Sequence, residues 1–280
     1  QAQSRVKAIE RMERIAAAHV DSPFEFTFPA TPIAARQLVR LVQERFAHAP
    51  GLGRCDTFFT NGARFYVDCG AHPEYCTPEC TNPWDLVRHT IAGERMLADA
   101  CERMPAECPQ VREVAMYKCN VDYSGGGATW GCHESYLHRV EPLVLATQLL
   151  PHLVSRVLYT GAGGFDARGV GIEFTLSPRA AHLERAISSE STALRGIVHS
   201  KNEALCRGGF HRLHLLCGES VCSHVASWLK VGTTALVVAM VEAGWRPGDG
   251  IQLHAPLAAL RRIARDPTLS TRVMTTDRRY

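Results

Sequence analysis

The apolar residues of this chain change repeatedly between the period of a strand and the period of a helix. Residues 56–60 and 62–68 are short β-rich runs, and the Asn61-Gly62 pair between them predicts a type I′ hairpin turn. Residues 82–104 then follow a helical period and begin with Asn-Pro-Trp-Asp, a suitable cap. Hairpins and long helices without a regular βαβ rhythm predict an α+β fold rather than a doubly wound sheet.

The same two periods run through the rest of the chain. Further helices are predicted at residues 1–19, 33–46, 143–158 and 220–242. Further strands are predicted at residues 21–32, 114–121, 129–137, 171–176 and 210–217. Neither an internal repeat nor a low-complexity linker interrupts the pattern, so we expect one main domain.

Composition excludes several classes of function. The chain has 280 residues, of which 46% are hydrophobic, enough for one large core. Its net charge of +3 comes from scattered Lys and Arg residues, which predicts no nucleic-acid partner. An apolar run of the roughly 20 residues that a membrane helix needs is missing, and so is the core of a secretory signal. We therefore expect a soluble cytoplasmic protein that does not bind membranes.

Cysteine usage points in the same direction. The chain has eleven cysteines, an odd number, and no CxxC pair, which favours reduced thiols over a disulfide framework or a zinc ribbon. The tightest cluster, Cys69, Cys76 and Cys80, matches no familiar metal module. We expect no metal bound by cysteine.

Residues 61–79 hold the densest group of polar side chains. On a strand, Arg64, Tyr66 and Asp68 share one face, because side chains alternate with a period of two. A carboxylate on such a face can attack an amide carbonyl or take a proton from water. An ordinary turn aspartate remains the alternative.

Two later groups could contribute to the same site. Residues 117–136 join a glycine-rich loop to a strand, and such a loop can bring backbone N–H groups close to an oxyanion, although a hairpin connection explains it equally well. His133 and Glu134 should point to opposite faces of their strand. Arg212 and His214 should share one face of another strand.

Several motifs in order resemble those of the Pup ligase and depupylase family. They are Asn61-Gly-Ala-Arg-Phe-Tyr-Val-Asp68-Cys-Gly-Ala-His-Pro-Glu74-Tyr, Ala92-Gly-Glu94, Gly131-Cys-His133-Glu-Ser-Tyr-Leu137, Arg212-Leu-His214 and Leu229-Lys-Val-Gly-Thr-Thr-Ala-Leu236. The resemblance implies a glutamine synthetase-like fold, in which a curved antiparallel sheet forms a cradle packed with helices. It also implies a catalytic domain over residues 1–255, including the helix at 1–19, and a tail or the start of a smaller domain at 256–280.

The resemblance assigns roles to individual residues. It makes Asp68 the catalytic aspartate, as nucleophile or general base, with Tyr66 beside it. Substrate binding falls to Arg64, Asn120 and Arg212. Glu74, His133 and His214 line the side that binds nucleotide and metal in the family, and the metal ligands of this chain stay unknown.

Departures from the family pattern favour one branch of it. The family's Glu-x-Glu pair, which supplies magnesium ligands, is replaced by Asp21-Ser-Pro-Phe-Glu25, and its Asn-Thr-Arg-Asp-Glu-Pro-His segment reads His199-Ser-Lys-Asn-Glu203-Ala-Leu. Magnesium requires several hard oxygen ligands, so nucleotide binding should be weakened. A ligase must activate a carboxylate with ATP, whereas hydrolysis of an existing amide needs only a positioned carboxylate, an oxyanion site and water.

We therefore expect a depupylase that hydrolyses the isopeptide bond between the C-terminal Glu of Pup and a substrate lysine. Its partners would be Pup and pupylated proteins, and it would require no cofactor, with ATP and magnesium doubtful. An ATP-dependent Pup ligase and a catalytically weak Pup-binding module remain the alternatives.

Overall fold

The computed structural model describes residues 32–49, 56–68, 72–124, 127–166, 172–190, 193–200 and 206–280. These residues belong to one compact unit, Thr31–Tyr280, which contains helices and three sheets. The α+β class predicted from the sequence is confirmed. The predicted helix at 1–19 and the strand at 21–32 lie outside the described residues, except Pro32, where the first described helix begins.

The first layer consists of two helices on a small antiparallel sheet. The helices are α1 (Pro32–Arg45) and α2 (Pro83–Glu107), and the strands, in the order β1-β2-β3, are β1 (Asp56–Phe58), β2 (Arg64–Asp68) and β3 (His72–Cys76). Phe65 points from β2 into the helices and is 1% exposed, so Arg64 and Tyr66 take the other face. Burial of Phe65 therefore fixes which face of β2 carries the polar residues.

Local sequence explains the ends of these elements. Asn82 caps α2 by accepting a hydrogen bond from the backbone N–H of Asp85, and Pro83 occupies the first turn. The hairpin between β1 and β2 is confirmed, but its turn is not type I′. That turn needs positive φ at both central residues, and only Gly62 has it, at +88°.

A glycine inside α2 allows the helix to approach the sheet closely. A Cβ atom on Gly93 would lie 2.4 Å from the Tyr75 ring of β3. The ring therefore packs directly on the helix backbone. This contact outweighs the intrinsic cost of glycine in a helix interior.

The second layer is a larger sheet covered by four helices. Its strands, in the order β4-β9-β8-β7, are β4 (Glu134–His138), β7 (Arg185–Ser188), β8 (Gly196–His199) and β9 (His211–Leu215). The helices are α3 (Pro142–Ser155), α4 (Val157–Thr160), α5 (His224–Glu242) and α6 (Pro256–Ala264). A short hairpin, β5 (Gly164–Phe165) with β6 (Phe174–Thr175), and a 3₁₀ helix, Pro178–His182, complete the described elements. Because β7 and β8 run parallel, the sheet is mixed rather than purely antiparallel.

Helix α6 lies in the main core and not in a separate tail. Leu260 and Ile263 are 3% and 6% exposed and pack with residues of α3 and β9. Residues on both sides of the predicted boundary at residue 255 therefore pack in the same core. Helix α6 has an apolar side, and because the helix is short it can bury that side only against a larger core.

Helix α5 is long and apolar enough, by length and composition alone, to cross a membrane. In the structure one face of this helix is buried, whereas Val225 and Leu236 on it are 68% and 67% exposed. Its Lys230 is 3% exposed and donates a hydrogen bond to the backbone carbonyl of Glu219 at 2.8 Å. The helix packs against α2, α3, α4 and β4.

Two other predictions differ from the structure. Residues 114–121 form no strand, because only Val121 finds a partner, in an isolated bridge to Thr129. The helix predicted at 143–158 is divided at Arg156 into α3 and α4. Local periodicity also did not indicate β3, β7 and β8, which pair with β2, β8 and β9, respectively.

Candidate active site

The β2–β3 ladder brings the predicted catalytic residues together. Tyr66 pairs with Glu74, and Asp68 pairs with His72, so these four side chains share one face of the small sheet. Asp68 is exposed at the end of β2. Within the described residues its carboxylate makes no side-chain hydrogen bond, which leaves both oxygens available to a substrate.

Arg64 is held on this face by Asp56, a residue that the sequence motifs did not single out. Its Nε donates to Asp56 Oδ1 at 2.9 Å, and its Nη2 donates to Oδ2 at 2.6 Å. The guanidinium carbon lies 4.1 Å from the centre of the Tyr66 ring. Such a cation–π contact restrains the phenol.

Tyr66 and Glu74 form a coupled pair beside Asp68. Burial raises the pKa of Tyr66 far above its ordinary value, and the hydrogen bond with Glu74 adds to the rise. Burial also raises the pKa of Glu74, and the negative charge of Asp68 raises it further, against the opposing effects of Tyr66 and Arg64. Tyr66 therefore stays a phenol that donates to Glu74, and Glu74 takes up a proton more readily than an exposed glutamate does.

Three histidines form a second polar face on the larger sheet. His199 pairs with His214 across β8 and β9, and their ring centres are 5.2 Å apart. The ring of His133, just before β4, lies 5.3 Å from His214. The sequence predicted His133 and His214 for this site, whereas the pairing that adds His199 depends on the fold.

The environment of His133 is positively charged. Its side chain reaches solvent, but protein surrounds it closely enough that desolvation is the main reason why its pKa falls to about 4. The charges of Arg179, His199 and Arg212 add to this effect. We expect the His133 ring to be neutral at pH 7.

Arg212 lies on the larger sheet, and its charge acts on both polar faces. Its Nε donates to Ser135 Oγ at 2.9 Å on β4. Burial and the charge of Glu74 raise the pKa of the Cys76 thiol on β3 to about 11, and the charge of Arg212 partly offsets this rise. Arg212 therefore lies close enough to act on both β3 and His133.

Asn120 has a different setting from the other predicted substrate-binding residues. It is 7% exposed, its Nδ2 donates to the carbonyl of Ser220 at 3.0 Å, and its Oδ1 accepts from the N–H of Ser220 at 2.8 Å. These contacts fix the arm of the glycine-rich hairpin to the segment before α5. The observed role of the Asn120 amide is structural, and substrate binding by it stays a prediction.

The predicted nucleotide and metal side does not fit magnesium in the part of the chain that the structure describes. Within those residues, His, Cys, Asp and Glu side chains form no group of three or more that could hold a metal ion. Glu74 lies on the small sheet, and His133 and His214 lie with cationic side chains on the larger one. Magnesium prefers oxygen ligands, whereas His133 and His214 offer ring nitrogens.

Glu134 points away from His133, as the strand period predicted. Both its oxygens accept from Arg156, at 2.6 and 2.9 Å, and the Tyr136 hydroxyl donates to it at 2.6 Å. Arg156 also donates to Thr234 Oγ1 of α5 at 2.8 Å. This buried ion pair fixes β4 against the helices behind the site and was not indicated by the sequence motifs.

Comparison with known proteins identifies the family. The family model described as Pup-ligase protein matches residues 1–280. The chain belongs to the Pup-ligase protein family. The family resemblance inferred from the motifs is therefore confirmed.

Relatives within the Pup-ligase family include both activities. A protein named depupylase from Acidothermus cellulolyticus is 43% identical over 223 residues, which are 78% of this chain and 43% of that protein. A Pup deamidase/depupylase from Mycobacterium tuberculosis is 39% identical over 82% of this chain and 46% of its own length. A Pup--protein ligase from Brachybacterium faecium is 37% identical over 84% of this chain and 53% of its own length. The chain thus spans about half the length of the curated relatives it matches.

Solved structures of the Pup-ligase family share this fold. The Pup ligase PafA in complex with ADP matches with a TM-score of 0.67 and 29% identity, over 96% of this chain and 58% of PafA. PafA in the complex with Pup matches with a TM-score of 0.70 and 31% identity, over 89% of this chain and 49% of PafA. These similarities place the described unit in the fold of PafA.

Proposed function

We propose that this chain is the catalytic part of a depupylase, which hydrolyses the isopeptide bond between the C-terminal Glu of Pup and a substrate lysine. The observation that carries this proposal is the exposed carboxylate of Asp68, on one face of the small sheet with Tyr66 and Glu74. Relatives named depupylase, at 39% and 43% identity, support the hydrolytic branch. Pup and pupylated proteins are the partners that this proposal requires.

Asp68 can perform the reaction in two ways. As a nucleophile, its carboxylate attacks the isopeptide carbonyl carbon, the C–N bond breaks, and the lysine nitrogen leaves with an added proton. Water then hydrolyses the resulting anhydride, which regenerates Asp68 and frees the glutamate carboxylate of Pup. As a general base, Asp68 instead takes a proton from the water that attacks the same carbon.

Tyr66 and Glu74 would support either route. Tyr66 keeps its proton and donates to Glu74 because its pKa is raised by burial and by that hydrogen bond. The raised pKa of Glu74, caused first by burial, favours a carboxyl that can carry a proton beside the leaving nitrogen. Arg64 and Arg212 place positive charge near the acidic end of Pup.

Hydrolysis of an amide is downhill, so this proposal requires neither ATP nor magnesium. We further propose a cytoplasmic location. All nine cysteines within the described residues are free thiols, which fits a reducing compartment.

The deciding experiment is incubation with a fluorescent Pup conjugate, with and without ATP and magnesium, followed by gel separation of free Pup. We expect release without nucleotide. Asp68→Asn should reduce release at least about 10³-fold while Pup still binds, because the attacking or proton-accepting oxygen is lost. Asp99→Asn, which changes an aspartate of α2 that pairs with Arg45 at the protein surface, is the matched control and should leave release unchanged.

The other outcomes of this experiment favour other functions. Release by Asp68→Asn at the wild-type rate would remove Asp68 from the mechanism. Formation of conjugates from free Pup, a target protein and ATP would support a ligase, the activity named for the Brachybacterium faecium relative. Tight Pup binding without turnover would support a binding module.

A further inference from the structure

Trp130 joins the segment before β4 to the start of β3. Its indole Nε1–H donates a hydrogen bond to Nδ1 of His72 at 3.1 Å. The two rings also meet edge to face, with centres 4.9 Å apart and planes at 73°. Because an indole nitrogen can only donate, Nδ1 of His72 must be the acceptor, and a neutral ring then carries its proton on Nε2.

Trp130 itself rests on a fixed frame. Its backbone N–H donates to the carbonyl of Asn120 at 3.0 Å, and Thr129 Oγ1 donates to the same carbonyl at 2.7 Å. Asn120 is buried and is held by its two hydrogen bonds to the backbone of Ser220. The indole therefore transmits the position of a rigid part of the molecule to His72.

His72 is the cross-strand partner of Asp68. Asp68 ends β2 and is exposed, and among the described residues no side-chain hydrogen bond restrains its carboxylate. Its position is therefore set by its backbone pairing with the start of β3. Asp68 and His72 are the last described pair of this ladder, next to the connection at residues 69–71, so a contact that holds His72 also bears on Asp68.

We propose that Trp130 is a positioning residue that acts through Nδ1 of His72 to hold Asp68 in place. This inference rests on the proposed function of Asp68 in cleaving Pup conjugates. The indole supplies the hydrogen bond and the ring contact, and the ladder passes the constraint from His72 to Asp68. Neither Trp130 nor His72 needs to touch the substrate.

Four variants test this inference. Trp130→Phe keeps a ring but removes the N–H donor, and His72→Phe removes the acceptor. His72→Asn keeps a hydrogen-bonding amide close to the position of Nδ1 but lacks Nε2. Trp245→Phe changes an indole that is 66% exposed in the connection after α5 and serves as the control.

Two measurements are made on each purified chain. Amide hydrogen exchange followed by mass spectrometry reports the order of the hairpin over residues 64–76, independently of activity. Cleavage of the fluorescent Pup conjugate gives kcat and KM separately. The double variant Trp130→Phe with His72→Phe measures the coupling between the two residues.

We expect faster hairpin exchange in Trp130→Phe and His72→Phe, with kcat lowered about tenfold and KM nearly unchanged, because misplacing a reacting group slows the chemical step. The double variant should be no worse than either single one. His72→Asn should stay within about threefold of wild type, since the amide can replace one neutral hydrogen bond. Trp245→Phe should match wild type in both measurements.

Three results would overturn the inference. Unchanged hairpin exchange in Trp130→Phe would mean that the indole does not hold the hairpin. Faster exchange with unchanged kcat would mean that this restraint is not used in catalysis, and equal loss in His72→Asn and His72→Phe would assign the role to Nε2. If wild type cleaves no conjugate, the proposed function fails, while hydrogen exchange still decides whether Trp130 restrains the hairpin carrying Asp68.

Discussion

Arg64 receives its orientation from Asp56, which lies on the neighbouring strand. The motif at residues 61–68 predicts a cation on the face of Asp68, and the structure confirms that placement. The two-pronged contact with Asp56 and the stacking over Tyr66 depend on the pairing of β1 with β2. Arg64 therefore orders the phenol as well as supplying charge.

Asp56→Asn tests this role at the scale of one residue. The amide cannot pair with the guanidinium as the carboxylate does, so Arg64 and the Tyr66 ring should become less ordered. We expect cleavage of the Pup conjugate to fall about tenfold, through kcat, because both groups flank Asp68. Stability should change by no more than about 1 kcal/mol, since the ion pair is partly exposed.

Asp99→Asn separates this effect from a general loss of an ion pair. Asp99 pairs with Arg45 at 2.9 Å on the helical side of the same layer. The Asp99→Asn variant should therefore leave kcat for cleavage of the Pup conjugate unchanged. Equal losses in both variants would show that Asp56 acts only through stability.

Strand β4 is the element that presents the second polar face, and a buried ion pair holds it. Glu134 and Arg156 have side chains only 5% and 3% exposed, and Arg156 lies where α3 passes into α4. The positive charge of Arg156 lowers the pKa of Glu134 against the cost of burial. Hydrogen-bonded groups on β4, at the junction of α3 and α4 and on α5 thus fix the strand that follows His133.

Arg156→Gln should be strongly destabilising. It leaves the Glu134 carboxylate buried without its cation, which typically costs about 3–5 kcal/mol. Arg88→Gln is the matched control, because Arg88 pairs with Asp85 while 77% exposed and should lose less than about 0.5 kcal/mol. Chemical denaturation at pH 7 measures the free energy of unfolding of both variants. Similar losses in the two variants would contradict a larger contribution of the buried ion pair to stability.

The stability of the whole molecule should depend on pH through its neutral histidines. Burial, helped by the charge of Arg156, lowers the pKa of His152 from 6.5 to about 4. Between these values the unfolded chain binds more protons than the folded one, so the free energy of unfolding decreases as pH falls from about 6.5 to 4. His133 has a pKa lowered in the same direction.

His152→Gln should flatten this dependence. The amide can keep the contact that Nε2 makes with Thr234 Oγ1 at 2.9 Å, but it does not titrate. We expect the loss of unfolding free energy between pH 7 and pH 4 to shrink by at most about 3 kcal/mol relative to wild type. Urea denaturation across this range provides the measurement, and an identical slope in both proteins would contradict a lowered pKa for His152.

Elements with a local pattern could be predicted from the amino-acid sequence alone. Hydrophobic periodicity and caps gave α2, α5 and the β1–β2 hairpin, within a few residues of their observed ends. The period of two placed Arg64, Tyr66 and Asp68 on one face. It also separated His133 from Glu134, because neighbouring side chains on a strand face opposite ways.

Contacts between these elements depend on the complete fold. The pairing of β8 with β9 adds His199 to His214, the Trp130 indole reaches His72 across 58 positions of sequence, and Arg156 reaches Glu134 from the end of a helix. Core packing also takes in α6, which the sequence pattern left in a tail. Such contacts depend on the order of the strands and on the burial of apolar surface over the whole unit. Neither can be read from the local period of apolar residues.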